Sequence, residues 1–152
     1  VGRPTKKREY TLKYAMRISE WIESYIRREL IALNYPELVL SHCELLTYLK
    51  RKGPQTQTSL ARAIHRDKST VTTLVKKLSL LKLVEISDNP LDGRSRMVSL
   101  TGTGSSLARK LALRYAALQR EVGKALSQSQ QSEFYEITEK LFSQAIESEN
   151  KP

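Results

Sequence analysis

The stretch DNPLDGRSRMVSLTGTG, residues 88–104, decides the fold. Asn89-Pro90 and Asp92-Gly93 are turn-forming pairs, and the residues after them read as a short β-strand. A second short, partly alternating run, LVEIS at 83–87, precedes them. The stretch therefore predicts a β-hairpin with a charged tip, followed by a helix whose N-cap is Thr101.

Two short helical patterns lie directly before this hairpin. Thr56 is the predicted N-cap of the first and Asp67 that of the second, and apolar residues recur at helical spacing in both. Only His65 and Arg66 separate them. Two helices joined by so tight a turn make a helix-turn-helix, and a helix-turn-helix followed by a β-hairpin is a winged helix.

Longer amphipathic helices flank this region, so the predicted fold class is mainly α with a small β-hairpin. One helix covers residues 10–35, and another, with Ser41 as N-cap and Glu44 as its capping-box partner, opens the winged helix-turn-helix domain at 36–101. Two more helices cover 102–148; the second begins with the capping box Ser127–Gln130, and we expect Phe134, Ile137, Leu141 and Ala145 to face inward. Residues 1–9 read as a flexible basic arm and 149–152 as a loose tail.

The charge is concentrated in the middle of the chain. The formal net charge is +10, and between Lys50 and Lys82 nine basic residues face a single acid, Asp67. Such an excess favours a polyanionic partner, of which nucleic acid is the commonest, although a solvated basic face without a partner is the alternative.

Three sets of residues are candidate DNA contacts. The second helix of the pair would enter the major groove with its exposed polar residues, since hydroxyls and lysines can bind base edges and phosphates. Arg94 and Arg96, two apart on an extended segment, would project together towards the minor groove, with Asp92 holding the Arg94 guanidinium. The candidates are Lys68, Ser69, Thr70, Thr72, Thr73, Lys76 and Lys77 on the helix, Asp92, Arg94, Ser95 and Arg96 on the wing, and Thr56, Gln57 and Thr58 for the DNA backbone. The alternatives are helix capping for the hydroxyls and a plain β-turn with solvated charges for the wing.

Four segments resemble the MarR-type (multiple antibiotic resistance regulator) winged-helix transcription factors: LAR at 60–62, DKSTVTTLVKKL at 67–78, LVE at 83–85 and DGRSRMVSLTGTG at 92–104. The last matches every fixed position of the family pattern D-x-R-S/A-x-x-V-x-L-T-x-x-G. Two small departures are Lys68, where the family often has Arg, and Ser59, where it often has Glu.

The resemblance implies a homodimer in which the helices at 10–35 and 102–148 interlock. Two recognition helices about one DNA turn apart would then read a pseudo-palindromic duplex. The resemblance also implies a repressor, less often an activator, whose DNA affinity a small-molecule effector can change. Trp21, Tyr25 and Tyr115 are candidates for lining the effector pocket, with aromatic core or dimer contacts as the alternative. A winged-helix protein-interaction module without sequence-specific DNA binding is the competing function.

Other classes find little support in the sequence. No catalytic constellation or phosphate-cradling glycine loop is visible, so we expect neither an enzyme nor a cofactor. His42 and His65 are too few for a metal site, and Cys43 is expected to be a buried structural thiol rather than a redox switch. With one cysteine, no signal peptide and no run near the roughly 18 apolar residues of a membrane span, the expected location is the cytoplasm.

Overall fold

The computed structural model describes the backbone of residues 6–149 and the side chains of residues 10–148. The elements in chain order are α1 (Lys6–Ala32), α2 (Leu40–Lys52), β1 (Gln55–Thr56), α3 (Gln57–Ala63), α4 (Lys68–Leu80), β2 (Val84–Asp88), β3 (Arg96–Leu100), α5 (Gly102–Gly123) and α6 (Gln128–Glu149). The predicted fold class is confirmed. The chain divides into two units, of which the first ends at Ala112 and the second begins at Leu113.

The first unit has one hydrophobic core, built where the helix-turn-helix packs on α2 and the sheet. Apolar residues recur every three or four positions in each helix, so each presents one face to this core. The C-terminal half of α1 adds Ile26 and Leu30 to it. The most deeply buried large side chains are Leu30, Leu45, Leu46, Leu60, Leu78, Leu83, Val71, Val75 and Val98.

The sheet has three antiparallel strands in the order β1-β3-β2. The predicted hairpin is confirmed: β2 pairs with β3 from Val84 opposite Leu100 to Asp88 opposite Arg96. Strand β1, which the sequence analysis did not predict, pairs Gln55 with Val98 and Thr56 with Met97. Because β1 is only two residues long, it has no alternating pattern from which it could be recognised.

Four of the predicted helix caps are confirmed. The Thr56 hydroxyl accepts the Ser59 N–H at 3.1 Å, and Asp67 Oδ1 accepts the Thr70 N–H at 2.8 Å. At α5 the Thr101 hydroxyl accepts the Gly104 N–H at 3.0 Å. Before α6, Gln130 Oε1 accepts the Ser127 N–H at 2.8 Å and the Ser127 hydroxyl accepts the Gln130 N–H at 3.3 Å, which is the expected capping box.

The predicted cap of α2 is wrong. The helix begins at Leu40, so Ser41 and Glu44 already lie inside it. The residue that serves the start of this helix is His42, whose Nδ1 accepts the backbone N–H of Val39 at 3.1 Å. The imidazole of His42 thus accepts the backbone N–H at the start of the helix, the role predicted for the Glu44 carboxylate.

The second unit contains the C-terminal half of α5, a short connection and α6. The Gln131 amide closes the connection by donating to the carbonyl oxygens of Gly123 at 3.0 Å and Leu126 at 3.2 Å. The expectation that the apolar residues of α6 face inward is wrong for the single chain. Phe134, Ile137, Leu141 and Ala145 are all exposed, because no described part of the chain covers this face.

The chain termini differ slightly from the sequence prediction. Helix α1 begins at Lys6, so residues 6–9, expected to belong to a flexible arm, are helical. Residues 1–5 lie outside the described part of the chain. The expected tail at 149–152 also lies outside it, apart from Glu149, where α6 ends.

The hairpin is joined to α5 by an unusually close backbone contact. The Leu83 carbonyl accepts the Thr101 N–H at 3.1 Å, and the Thr101 hydroxyl donates to the Lys82 carbonyl at 2.7 Å. Gly104 lies against the same peptide: a Cβ added to it would be 1.8 Å from the Leu83 oxygen. Only glycine permits the first turn of α5 to pack here.

We predict that Gly104→Ala destabilises the protein by about 1–3 kcal/mol or more, since the methyl group forces the backbone of α5 away from Leu83. Gly102→Ala is the matched control, because a Cβ at Gly102 meets nothing within 4 Å. Urea denaturation followed by circular dichroism measures both variants. Equal midpoints for the two would show that the Leu83 contact does not constrain the fold.

Candidate nucleic-acid interface

The outer face of α4 is polar and basic. Val71, Val75 and Leu78 turn to the core, which leaves the opposite side of the helix to solvent. The exposed side chains are Lys68, Ser69, Thr72, Thr73 and Lys76. Thr70 and Lys77, also predicted to be exposed, are half-buried, because they lie at the edges of this face.

The start of α4 is organised around the Asp67 carboxylate. Its oxygens accept the hydroxyl protons of Ser69 and of Thr70, the latter at 2.6 Å, besides the Thr70 N–H. These hydrogen bonds, led by that from Ser69, hold the pKa of Asp67 well below its usual range. The Ser69 and Thr70 hydroxyls therefore serve the helix cap, as the capping alternative anticipated.

The two central threonines also have partners within the chain. The Thr72 hydroxyl lies 2.8 Å from Gln57 Oε1 and 2.8 Å from the Lys68 carbonyl oxygen, with one proton for the two acceptors. The Thr73 hydroxyl lies 3.2 Å from the Ser69 carbonyl oxygen. Both side chains remain exposed, and both hydroxyls act as donors in these contacts, which leaves their oxygen lone pairs available to accept hydrogen bonds.

The N-terminus of α3 borders this face. The contact between Gln57 and Thr72 joins the two helices on their outer side. Of the three residues predicted to contact the DNA backbone, Thr58 is exposed, whereas Thr56 and Gln57 are half-buried. The structure therefore brings the α3 candidates next to the α4 candidates.

The wing differs from the prediction in two respects. Arg94 lies in the turn at the tip and not on a strand, since β3 begins at Arg96. Asp92 Oδ1 accepts the backbone N–H of Arg94 at 3.0 Å, and no ion pair joins the two side chains in the part of the chain that the structure describes. Asp92 therefore shapes the turn, because its short side chain reaches its neighbour's backbone more readily than the far end of a flexible arginine.

The two wing arginines have different surroundings. Arg96 pairs with Asp88 across the hairpin, with Nη1 2.5 Å from Oδ1. Arg94 is exposed at the tip. Ser95, which is half-buried, braces the turn by accepting a hydrogen bond from Asn89 Nδ2 at 2.7 Å. The two guanidinium groups therefore do not form the matched pair predicted from their spacing.

The aromatic candidates for an effector pocket fall in both units. Trp21, which is 43% exposed, and Tyr25, which packs against the core, lie one turn apart on α1, whereas the exposed Tyr115 lies on α5 in the second unit. A cavity of about 220 Å³ in the first unit is lined by other residues: Glu23, Ile26, Arg27, Leu38, Val39, Leu40, Ser41 and Arg66.

Cys43 and the histidines have no visible role in binding. Cys43 is buried, and burial raises the pKa of its thiol to about 12, which fits the predicted structural role. Burial also lowers the pKa of His42, with the nearby Lys77 acting in the same direction. Among the described residues no three His, Cys, Asp or Glu side chains come together as a metal site, and no described helix is both long and apolar enough to cross a membrane.

Comparison with known proteins shows which families and structures this chain is similar to. Residues 38–95 match the model of the MarR family. Over 72 residues the chain is 33% identical to the helix-turn-helix transcriptional repressor NicR of Pseudomonas putida. That match covers 47% of this chain and 46% of NicR, so it spans about half the length of the relative.

Two solved structures share the fold over most of the chain. The PcaV transcriptional regulator of Streptomyces coelicolor, solved with its natural ligand, has a TM-score of 0.79 at 19% identity, over 95% of this chain and 99% of PcaV. The MepR–DNA complex of Staphylococcus aureus has a TM-score of 0.78 at 22% identity, over 89% of this chain and 98% of MepR.

We predict that the Asp67 carboxylate stabilises the fold down to unusually low pH. Because its folded-state pKa is depressed, its contribution is fully present above the unfolded value of about 3.9 and disappears only as pH falls below it. The stability difference between wild type and Asp67→Ala, measured by urea denaturation, should be constant from pH 7 to about 5 and shrink in more acidic buffer. Glu133→Ala, on the exposed surface of α6, is the control for removing an exposed carboxylate. A pH-independent difference would argue against the charged cap.

Proposed function

We propose, from the premise that residues 38–95 of this chain are a MarR-family segment, that the protein is a homodimeric transcriptional regulator, acting as a repressor, that binds double-stranded DNA sequence-specifically. One observation carries the proposal: the outer face of α4 presents lysine and hydroxyl side chains, while every apolar side chain from 68 to 77 is buried or half-buried. A protein-docking helix would expose large apolar residues instead.

In this proposal α4 enters the major groove with its N-terminus leading. Lys68 and Lys76 neutralise phosphates, and the exposed Thr72 and Thr73 contact base edges with their hydroxyls or thymine methyl groups with their own methyls. Thr58 at the start of α3 contacts the phosphate backbone beside them. Arg94, at the wing tip, reaches into the adjacent minor groove, where the negative potential is strongest.

Surfaces that one chain leaves uncovered support the proposed dimer. Phe134, Ile137 and Leu141 recur along α6 at three- and four-residue steps and are 47–58% exposed. On α1, Leu12 is 72% and Met16 65% exposed. Exposed apolar stripes of this length are typical of helices that pack against a second chain. A two-fold axis between two chains would present two copies of α4 to a pseudo-palindromic site.

We also propose that a small molecule modulates DNA binding, with Trp21, Tyr25 and Tyr115 as candidates for its pocket. The support is that PcaV, a transcriptional regulator with this fold, has been solved in complex with a natural ligand. The proposal includes no enzymatic activity and needs no metal or cofactor. Because the proposed partner is DNA, the cytoplasm is the proposed place of action.

Selection of bound sequences from a random duplex library, near physiological salt, tests this function. We expect a pseudo-palindrome with half-sites about ten base pairs apart. Salt-sensitive binding without a recovered motif would refute sequence-specific regulation and would favour the winged-helix protein-interaction module instead.

We predict that Arg94→Ala weakens binding to the selected site about tenfold or more, and makes the salt slope shallower by about 0.9 for each phosphate that the variant no longer neutralises. Fluorescence anisotropy at several salt concentrations measures both quantities. Lys124→Ala is the control, because it removes one exposed charge that is paired with Glu121 on α5. An Arg94→Ala variant with wild-type affinity and salt slope would mean that the wing does not touch DNA.

We predict that Thr72→Ala and Thr73→Ala change the sequence preference more than the total affinity. Each substitution removes a methyl and a hydroxyl that can discriminate between bases, and one mismatched base pair typically costs about 1–3 kcal/mol. The selection is repeated with each variant, and Thr73→Val, which keeps methyl groups, serves as the comparison. Recovery of the unaltered motif with all variants would remove the threonines from base recognition.

We predict that Leu141→Glu shifts the protein from dimer to monomer, because a carboxylate inside an apolar interface gives up its hydration and finds no partner there. Sedimentation velocity at micromolar concentration measures the effect. Lys140→Glu is the matched control, since it introduces the same side chain one position away, off the apolar stripe. If Leu141→Glu sedimented as a dimer, the α6 stripe would not be the interface.

A further inference from the structure

A second basic surface lies beside the candidate interface. Helix α2 ends in three consecutive exposed cations, Lys50, Arg51 and Lys52. The Lys50 ammonium donates to the Ser105 hydroxyl of α5 at 2.6 Å, which brings the C-terminus of α2 against the first turns of α5. Arg109, also exposed, follows Ser105 by four residues and so lies on the same face of α5. We call these four cations the basic shoulder.

The basic shoulder has few acids near it. No Asp or Glu occurs between residues 45 and 56 or between 99 and 112, the two segments that form it. The nearest acid by strand register is Glu85, which lies opposite Ser99 on the hairpin. Arg51 additionally lies with its guanidinium 5.6 Å from the ring centre of Tyr48, an arrangement that restrains a long side chain. The four charges therefore have no acid in either segment to offset them.

The basic shoulder is continuous with the candidate interface. Gln55 donates from its amide to the Lys52 carbonyl at 3.4 Å, and its amide oxygen accepts the Ser59 hydroxyl proton at 2.6 Å. Two residues further along the chain, Gln57 contacts Thr72 on the outer face of α4. These contacts form a continuous connection from the outer face of α4, past the N-terminus of α3, to the end of α2.

We propose that the basic shoulder binds the phosphate backbone of the DNA that flanks the sequence read by α4. This inference rests on the proposed function. The basic shoulder has four cations, no acid in its two segments, and a position beside the outer face of α4. Such a surface can bind a polyanion that extends beyond α4, and duplex DNA is such a polyanion. Binding of this kind adds affinity without adding sequence preference, since the phosphates are the same for every base pair.

The consequence is a dependence of affinity on duplex length. Two duplexes distinguish it: a core duplex of about 20 base pairs that holds both half-sites, and an extended duplex with about ten unrelated base pairs added at each end. Wild type should bind the extended duplex about tenfold more tightly at moderate salt, with a salt slope that is steeper by about 0.9 for each additional phosphate neutralised.

The triple variant Lys50→Gln, Lys52→Gln, Arg109→Gln should abolish this advantage while still binding the core duplex. The matched control is Lys13→Gln, Lys124→Gln, Lys140→Gln, which removes the same charge from α1, from the connection after α5 and from α6 and should keep the advantage. Lys50→Arg, which retains the charge, should also keep it. Circular dichroism checks that each variant is folded.

The outcomes separate the two proposals. If wild type selects a site but binds both duplexes equally, or if the shoulder variant keeps the length advantage, the proposed contact with flanking DNA is wrong. The proposed regulatory function is unaffected by either result. If the control triple variant abolishes the advantage to the same extent, the effect belongs to total charge and the shoulder assignment is overturned. If wild type selects no site at all, the proposed function itself fails.

Discussion

The carbonyl group of Leu83 is the point on which the first unit depends. It accepts the Thr101 N–H at 3.1 Å, and the absence of a side chain on Gly104 lets α5 approach the same peptide. The chain reaches this point from α4 through Lys82, which adopts a left-handed conformation with φ of 57°, and leaves it along β2. The Leu83 peptide thus lies where the end of α4, the two ends of the hairpin and the start of α5 meet. It therefore helps to set the position of the wing relative to the candidate recognition helix α4.

Much of the fold could be predicted from the sequence because it depends on short-range contacts. Caps at Thr56, Asp67 and Thr101 are local events, decided by side chains that reach backbone groups two or three residues away. The turn residues of the hairpin are local as well. The family resemblance drawn from residues 60–104 rests on the same short-range chemistry, and the model of the MarR family matches residues 38–95, which include most of that range.

The errors arose where the outcome depends on competition or on distant parts of the chain. Ser41 is a residue type that commonly caps helices, but α2 begins one residue earlier, at Leu40, and the imidazole of His42 accepts the Val39 N–H. The Asp92 carboxylate accepts the backbone N–H of Arg94 and not its guanidinium. Arg96 pairs with Asp88 because the strand register brings them opposite each other. The faces of α6 were predicted correctly as a stripe and incorrectly as core, since periodicity reports which residues are apolar and not which chain covers them.

The hydrogen bonds already present on α4 determine how such a surface can recognise DNA. The Thr72 hydroxyl proton is shared between Gln57 and the Lys68 carbonyl, so donating it to a base edge must replace one of these bonds, and the net gain is the difference between the two. Accepting a hydrogen bond from a base amino group replaces neither, because both internal contacts use the proton and not the oxygen lone pairs. A lysine or arginine that binds a phosphate instead displaces water and counterions. Affinity would therefore come chiefly from the cations. Sequence preference would come from threonine methyl groups against thymine and from hydroxyl oxygens that accept from a base, because neither contact requires breaking a hydrogen bond within the protein.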